Sequence, residues 1–308
     1  MSETAIALTG ISKRYGTRLA LSDLTLTVPR GAFFALLGTN GAGKTTTLRT
    51  LLGLIRPDSG SGTVLGQTLG PGYPPVELKQ RIGYVAEGNP LYSRMTARQL
   101  LDLVRDLNPR WNERLVQRYL KLFSLPLDVI VRRLSTGMRA QLALTLAMAG
   151  DPELLILDEP THGLDPLRRH EYLQALLADS IESGRTILMA SHELHQVERL
   201  ADHIAILDAG RLLISASVDS LKENERRVRV AVDWDARIDG ADGPGLAETL
   251  QRLPGVRRLT REGDGFLLHV SRDLAALLER LQALPSVRGV QVHEESLEEI
   301  FLSYVGQT

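Results

Sequence analysis

The stretch Gly38-Thr39-Asn40-Gly41-Ala42-Gly43-Lys44-Thr45 constrains this chain more than any other, because its spacing, G-x-x-x-x-G-K-[ST], admits few local geometries. An apolar run, Ala32 to Leu37, leads into it, and helical spacing through Leu48, Leu51 and Leu52 follows. A strand, a glycine-rich turn and a helix in that order aim backbone amides at a helix N-terminus carrying about half a positive charge. That is a cradle for phosphate oxygens. The spacing predicts nucleotide contacts along Gly38, Asn40, Gly41, Ala42, Gly43 and Thr46. It also predicts Lys44 on the β and γ phosphates and the Thr45 hydroxyl on Mg²⁺.

The surrounding pattern is α/β. Leu154 to Leu157 is fully apolar, as a central parallel strand requires, and Thr186 to Met189 and Ile204 to Leu207 repeat that style. The polar block from Thr96 to Ala149 has helical patterning and reads as a helical insertion, a subdomain at about residues 88–150. Asp58 to Pro75, rich in Gly and Pro, reads as a loop. The charge run Lys222 to Arg226 reads as a linker dividing a first domain, 1–221, from a second, 222–308. In the second, strands are predicted at Arg227 to Trp234, Arg257 to Thr260, Phe266 to Val270 and Val287 to Val292. Helices are predicted at Leu246 to Leu253, Leu274 to Leu284 and Ser296 to Tyr304. The order β-α-β-β-α-β with a tail helix is the α+β ferredoxin-like layout.

Composition narrows the classes further. At roughly 100–200 residues per domain, 308 residues fit two domains. With 36 Lys+Arg against 37 Asp+Glu and a net charge of -1, no global field attracts nucleic acid. The arginines at 226, 227 and 229 are diluted by Glu223, Glu225, Asp233 and Asp235, so no nucleic-acid partner is predicted. Zero cysteines exclude disulfides, thiolate zinc sites and cysteine nucleophiles. The longest apolar run, Leu142 to Ala149, is far short of the roughly 20 residues that cross a bilayer. Glu3 and the lack of a basic flank argue against a signal peptide, so a cytoplasmic protein is expected.

Leu154-Leu155-Ile156-Leu157-Asp158-Glu159 ends an apolar strand on two carboxylates. Successive strand residues diverge, so the two can hold different jobs. Asp158 is expected to anchor Mg²⁺, usually through water, and Glu159 to polarise the attacking water.

Leu134-Ser135-Thr136-Gly137-Met138, ahead of a helix predicted from Arg139 to Ala149, resembles the signature of ATP-binding cassette proteins, normally Leu-Ser-Gly-Gly-Gln. His162-Gly163-Leu164-Asp165 resembles their D-loop, and Ser191-His192-Glu193 their switch histidine. Tyr15 stands where the family places an aromatic ring under adenine. The resemblance runs from about Ile6 to Ala216 and is closest to the ABC-2 export-type branch. It implies a P-loop NTPase (RecA-like) core that hydrolyses ATP with Mg²⁺, using Lys44, Glu159 and His192 as catalytic groups. It further implies a homodimer or heterodimer sandwiching two ATPs head to tail. Ser135 and the Gly137 amide would then meet the γ-phosphate held by the other subunit, and Asp165 would act across the interface. Motion would pass to an integral membrane permease, holding the chain peripherally on the cytoplasmic face.

Two departures stand out. The family's glutamine falls on Glu87, which can still ligand Mg²⁺ but cannot donate as an amide does. Thr136 and Met138 replace Gly and Gln in the signature, leaving Ser135 and Gly137 to bind. These changes are expected to tune hydrolysis, although they also keep open a regulatory cassette with slow turnover. A soluble cassette acting on ribosomes or DNA fits less well, because this chain has one cassette and a short insertion. His170, His195, His203, His269 and His293 read as surface or packing residues, and His162 as part of a turn. Leu91 and Tyr92 follow Glu87, where the family receives a helix of the membrane partner. The second domain shows no catalytic constellation; by analogy it braces or regulates the dimer.

Overall fold

The computed structural model describes residues 3–70, 73–233, 243–271 and 274–305, without the side chains of 195, 196, 243 and 244. The side chain of His195, read as a packing residue, and Trp234 and Asp235, read as a strand end and a diluting charge, lie outside what is described. The chain separates into two compact units, Met1–Ser215 and Ala216–Thr308.

The first unit opens with β1 (Thr4–Tyr15), β2 (Arg18–Pro29), β3 (Phe33–Gly38), α1 (Lys44–Leu51), β4 (Ser59–Val64) and β5 (Gln67–Thr68). There follow α2 (Val76–Lys79), β6 (Ile82–Val85), α3 (Ala97–Leu107), α4 (Glu113–Phe123) and α5 (Thr136–Met148). Next come β7 (Leu154–Asp158), α6 (Pro166–Ser183), β8 (Thr186–Ser191), α7 (Leu194–Val197), β9 (His203–Asp208) and β10 (Arg211–Ser217). A six-stranded sheet runs β10-β9-β3-β8-β7-β6, with β9, β3, β8, β7 and β6 paired parallel in turn. All residues of β3, β7 and β8 are buried, which is why these strands read as unbroken apolar runs. Parallel pairing brings the C-terminal ends of β3, β8, β7 and β6 to one edge, where α/β sheets bind ligands.

The sequence reading gave no strands to residues 4–29 and a loop to Asp58–Pro75. The structure corrects both. An antiparallel sheet, β2-β1-β4-β5, covers one side of the core. Its apolar residues, among them Leu8, Leu24 and Leu26, join Phe34, Leu36 and Ile156 of the parallel sheet in one core cluster. β4 hides in a glycine-rich sequence because it passes close against β1. A Cβ at Gly60, where φ is 92°, would stand 2.4 Å from the Gly10 carbonyl oxygen.

The helical block is as predicted in kind, with α3, α4 and α5 set between β6 and β7. Thr96 caps α3 in a capping box with Gln99. α5 starts at Thr136 rather than Arg139, because the Ser135 side chain already accepts the Met138 amide and caps it there.

The second unit holds α8 (Val218–Asn224), β11 (Glu225–Val232), α9 (Gly243–Gln251), β12 (Val256–Glu262), β13 (Gly265–Ser271), α10 (Leu274–Gln282), β14 (Val287–Glu294) and α11 (Leu297–Val305). Its sheet order, β12-β13-β11-β14, is antiparallel throughout and is the order of a ferredoxin-like sheet. Lys222 to Arg226 is no loop: it is the end of α8 and the start of β11, and Ser217 caps that helix. Lys222 and Glu223 are exposed on that helix, whereas Glu225 is buried at the start of β11 and paired with Arg257 at 2.8 Å.

Candidate active site

A cleft of about 550 Å³ lies between the β1–β2 hairpin and the loop from Thr39 to Thr46. α1 begins at Lys44, immediately after Gly43, whose φ of 109° suits glycine; a Cβ there would lie 2.8 Å from the Ala20 carbonyl oxygen. The buried Lys44 ammonium donates to the Gly38 carbonyl at 2.8 Å and to the Thr39 carbonyl at 3.4 Å. It also stands 3.1 Å from Glu159 Oε1.

The Thr45 hydroxyl donates to Asp158 Oδ1 at 3.2 Å, joining the start of α1 to the end of β7. Burial pushes the Asp158 carboxyl up to about 6; the Thr45 hydrogen bond opposes this, and the Glu87 and Glu159 charges add to it. Directly after β7, Glu159 takes a left-handed backbone, φ 47°, and its N–H donates to the Ala190 carbonyl of β8 at 3.1 Å. Its other carboxylate oxygen lies 2.8 Å from Nδ1 of His192, the residue after β8. The His162 and His192 rings are 5.8 Å apart, and the His162 N–H donates to the Glu159 carbonyl.

Most of the predicted residues therefore converge. Tyr15, Asn40, Gly41, Gly43, Thr45 and Thr46 line the cleft, as do Lys44, Glu87 and Glu159. Asp158 and His192 join through Thr45 and Glu159. Gly38 supports the site from behind through its carbonyl. Ala42 is not among the residues lining the cleft; its side chain belongs to the core cluster and its N–H donates to the Thr39 carbonyl.

Ser135 and Gly137 are not in the cleft of their own chain. Ser135 is exposed at the N-terminus of α5, whereas Gly137 is buried with the Arg168 side chain lying across it. Arg168 is in turn paired with Glu171 at 2.8 Å. Asp165 caps α6 by accepting the Arg168 amide at 3.0 Å. The sequence reading missed Arg18, Ala20 and Thr39, which also line the cleft. Arg18 becomes visible only with the hairpin register, which sets it opposite Tyr15.

Known proteins are similar to this chain in sequence and fold. The family "ABC transporter" matches residues 21–162, and the "ATP-binding protein DrrA1-3-like, C-terminal domain" matches residues 207–305. The chain is similar to the ABC transporter ATP-binding protein YtrB of Bacillus subtilis (strain 168), 36% identical over 76% of this chain and 79% of that protein. It is 35% identical to the Nod factor export ATP-binding protein I of Rhizobium johnstonii, over 100% of this chain and 96% of the relative. Its fold is like that of the ATP-binding cassette MJ0796, solved as a dimer in a post-hydrolysis state with ADP and Pi. That likeness has a TM-score of 0.62 at 22% identity, over 69% of this chain and 98% of the other. A cassette fold with its phosphate loop and carboxylates in place, and relatives matched over three quarters or more of its length, make this chain a member of the ABC transporter ATP-binding proteins.

Proposed function

We propose that this chain is the ATP-hydrolysing subunit of an export-type transporter, working with Mg²⁺ as a head-to-tail dimer on a separate membrane permease. One observation carries the reading: Lys44, Thr45, Asp158, Glu159 and His192 meet at adjoining C-terminal ends of β3, β7 and β8. Lys44 would bind the β and γ phosphates. Glu159 would take the proton side of the attacking water, with His192, 2.8 Å away, holding that carboxylate in position.

The residues present fit a hard cation. Thr45 and Asp158 offer oxygen donors only, and a carboxyl raised by burial and neighbouring acids is one that a positive charge would stabilise. Glu87, at the rim of the cleft, is a third donor. Among the described residues no group of three or more His, Cys, Asp or Glu is arranged to hold a metal by itself. That fits a cation held jointly with substrate phosphates, as is usual for Mg²⁺. When bound, it would neutralise charge on the phosphate oxygens.

Ser135 supports the dimer. It is exposed at a helix N-terminus, outside its own cleft, and its hydroxyl caps that helix by accepting, which leaves the O–H to donate. A nucleotide carried by a second chain would meet that end. The dimeric MJ0796 cassette supports the arrangement. For the permease, a groove of about 410 Å³ runs beside β6, lined by Leu91, Tyr92, Leu100, Val104 and Leu146. Tyr92 is exposed and Leu91 half-buried there. No helix among the described residues is long and apolar enough to cross a membrane. The export direction is supported by the name of the Rhizobium relative, a Nod factor export ATP-binding protein.

Size-exclusion chromatography tests the sandwich. Glu159→Gln removes the base and keeps the shape, so with ATP and Mg²⁺ this variant should accumulate as a dimer. A strictly monomeric profile would contradict the reading.

A further inference from the structure

We propose that Arg18 grips the phosphate chain of the nucleotide from the antiparallel sheet, beside the phosphate loop that carries Lys44, in a contact that ADP and ATP share. The inference rests on the ATP site described above and adds a residue to it.

The hairpin places the guanidinium first. Tyr15 and Arg18 are register partners across the Gly16-Thr17 turn, where Gly16 has φ 57° and the Arg14 guanidinium donates to the Thr17 carbonyl at 3.2 Å. A ring and a guanidinium therefore stand side by side at the mouth of the cleft. They suit the two unlike parts of a nucleotide, the flat base and the anionic chain.

Contact with the loop fixes its direction. Arg18 Nη2 donates to the Gly41 carbonyl at 3.3 Å, and a Cβ on Gly41 would lie 2.8 Å from that nitrogen. The guanidinium thus lies against the wall of the phosphate loop, on the side of Tyr15. Glu159 and His192 meet at the ends of β7 and β8 instead. That assigns Arg18 to the phosphates nearer the base, which ADP retains.

Charge supplies the third argument. Arg18 and Lys44 are the cations among the residues lining the cleft. Lys44 already faces the Glu159 carboxylate at 3.1 Å. Arg18 makes no ion pair with a carboxylate among the described residues, and its long bond to one carbonyl occupies a single donor of five. The remaining donors can chelate phosphate oxygens in the fork geometry that lysine lacks.

Isothermal titration of the full-length protein with ADP and with ATP tests this, using wild type, Arg18→Ala and Arg18→Lys. Loss of a charge-assisted contact should weaken both nucleotides about tenfold in Arg18→Ala. Arg18→Lys should recover part of that loss, and in turnover assays the defect should appear in KM rather than in kcat. Added salt should weaken wild-type binding more steeply than that of Arg18→Ala. The proposal is overturned if Arg18→Ala binds both nucleotides as tightly as wild type, or if it loses ATP alone. It is equally overturned if the alanine and lysine variants lose affinity alike and both melt at lower temperature, since Arg18 would then only brace the Gly41 loop. Failure of the wild type to bind ATP would instead sink the nucleotide reading itself.

Discussion

Lys44 shows how a single residue is prepared for its task. Its ammonium is buried, and its hydrogen bonds run to the carbonyls of Gly38 and Thr39 beside the Glu159 carboxylate. A buried cation so tightly held is a preorganised electrostatic contact, and removing one such contact typically costs 10²–10³ in rate. Lys44→Ala should therefore lose about 10²–10³ of turnover in a phosphate-release assay; near-normal hydrolysis would refute its assignment. Lys44, Thr45, Asp158 and Glu159 were legible in the sequence because each sits in a contiguous motif whose geometry is local. Arg18 was not, because its place depends on a cross-strand pairing with Tyr15 that no short motif encodes.

At the scale of elements, the buried central strands of the first unit and the alternating strands of the second were legible, whereas the antiparallel strands of the first unit were not. β3, β7 and β8 are buried throughout, so their composition alone sets them apart. β4 carries glycines that close backbone approach demands, and α8 carries charges, so each resembled a loop. Neighbouring strands β6 and β7 are also tied just before their starts. Glu153 accepts two bonds from the Arg81 guanidinium, at 2.7 and 2.8 Å. The Arg81 hydrogen bonds hold the Glu153 carboxyl below its usual value of 4.5, against a desolvation that raises it. A carboxyl depressed by folding adds stability above its ordinary pKa and loses it as pH falls through the folded value. Glu153→Gln should thus flatten the decline in stability below about pH 4.5, read by urea denaturation across the acid range. Glu153 is 37% exposed, so solvent screening keeps the effect modest. An unchanged acid limb in the variant would show that the pair contributes nothing.

For the whole molecule, ligand binding is the simplest readout of the assembled cleft. ATP with Mg²⁺ at about a hundred times Kd should stabilise the unit that carries the cleft by about 2.7 kcal/mol. Calorimetry should show a raised transition for wild type and little change for Lys44→Ala; equal shifts in both would place the binding elsewhere. The units divide at Ser215 and Ala216, ahead of the 221/222 boundary read from the sequence, because the helix that opens the second unit is concealed by its charges. The strand order has a further consequence. Lys44, Asp158 and His192 follow or end β3, β7 and β8, and β8 lies between the other two. Segments more than a hundred residues apart in sequence thus become next-door neighbours. Chemistry that draws on all three strand ends therefore requires the folded sheet. Slow amide exchange along β8 should accordingly rise and fall with catalytic competence, because that one strand is the seam on which the machinery is stitched.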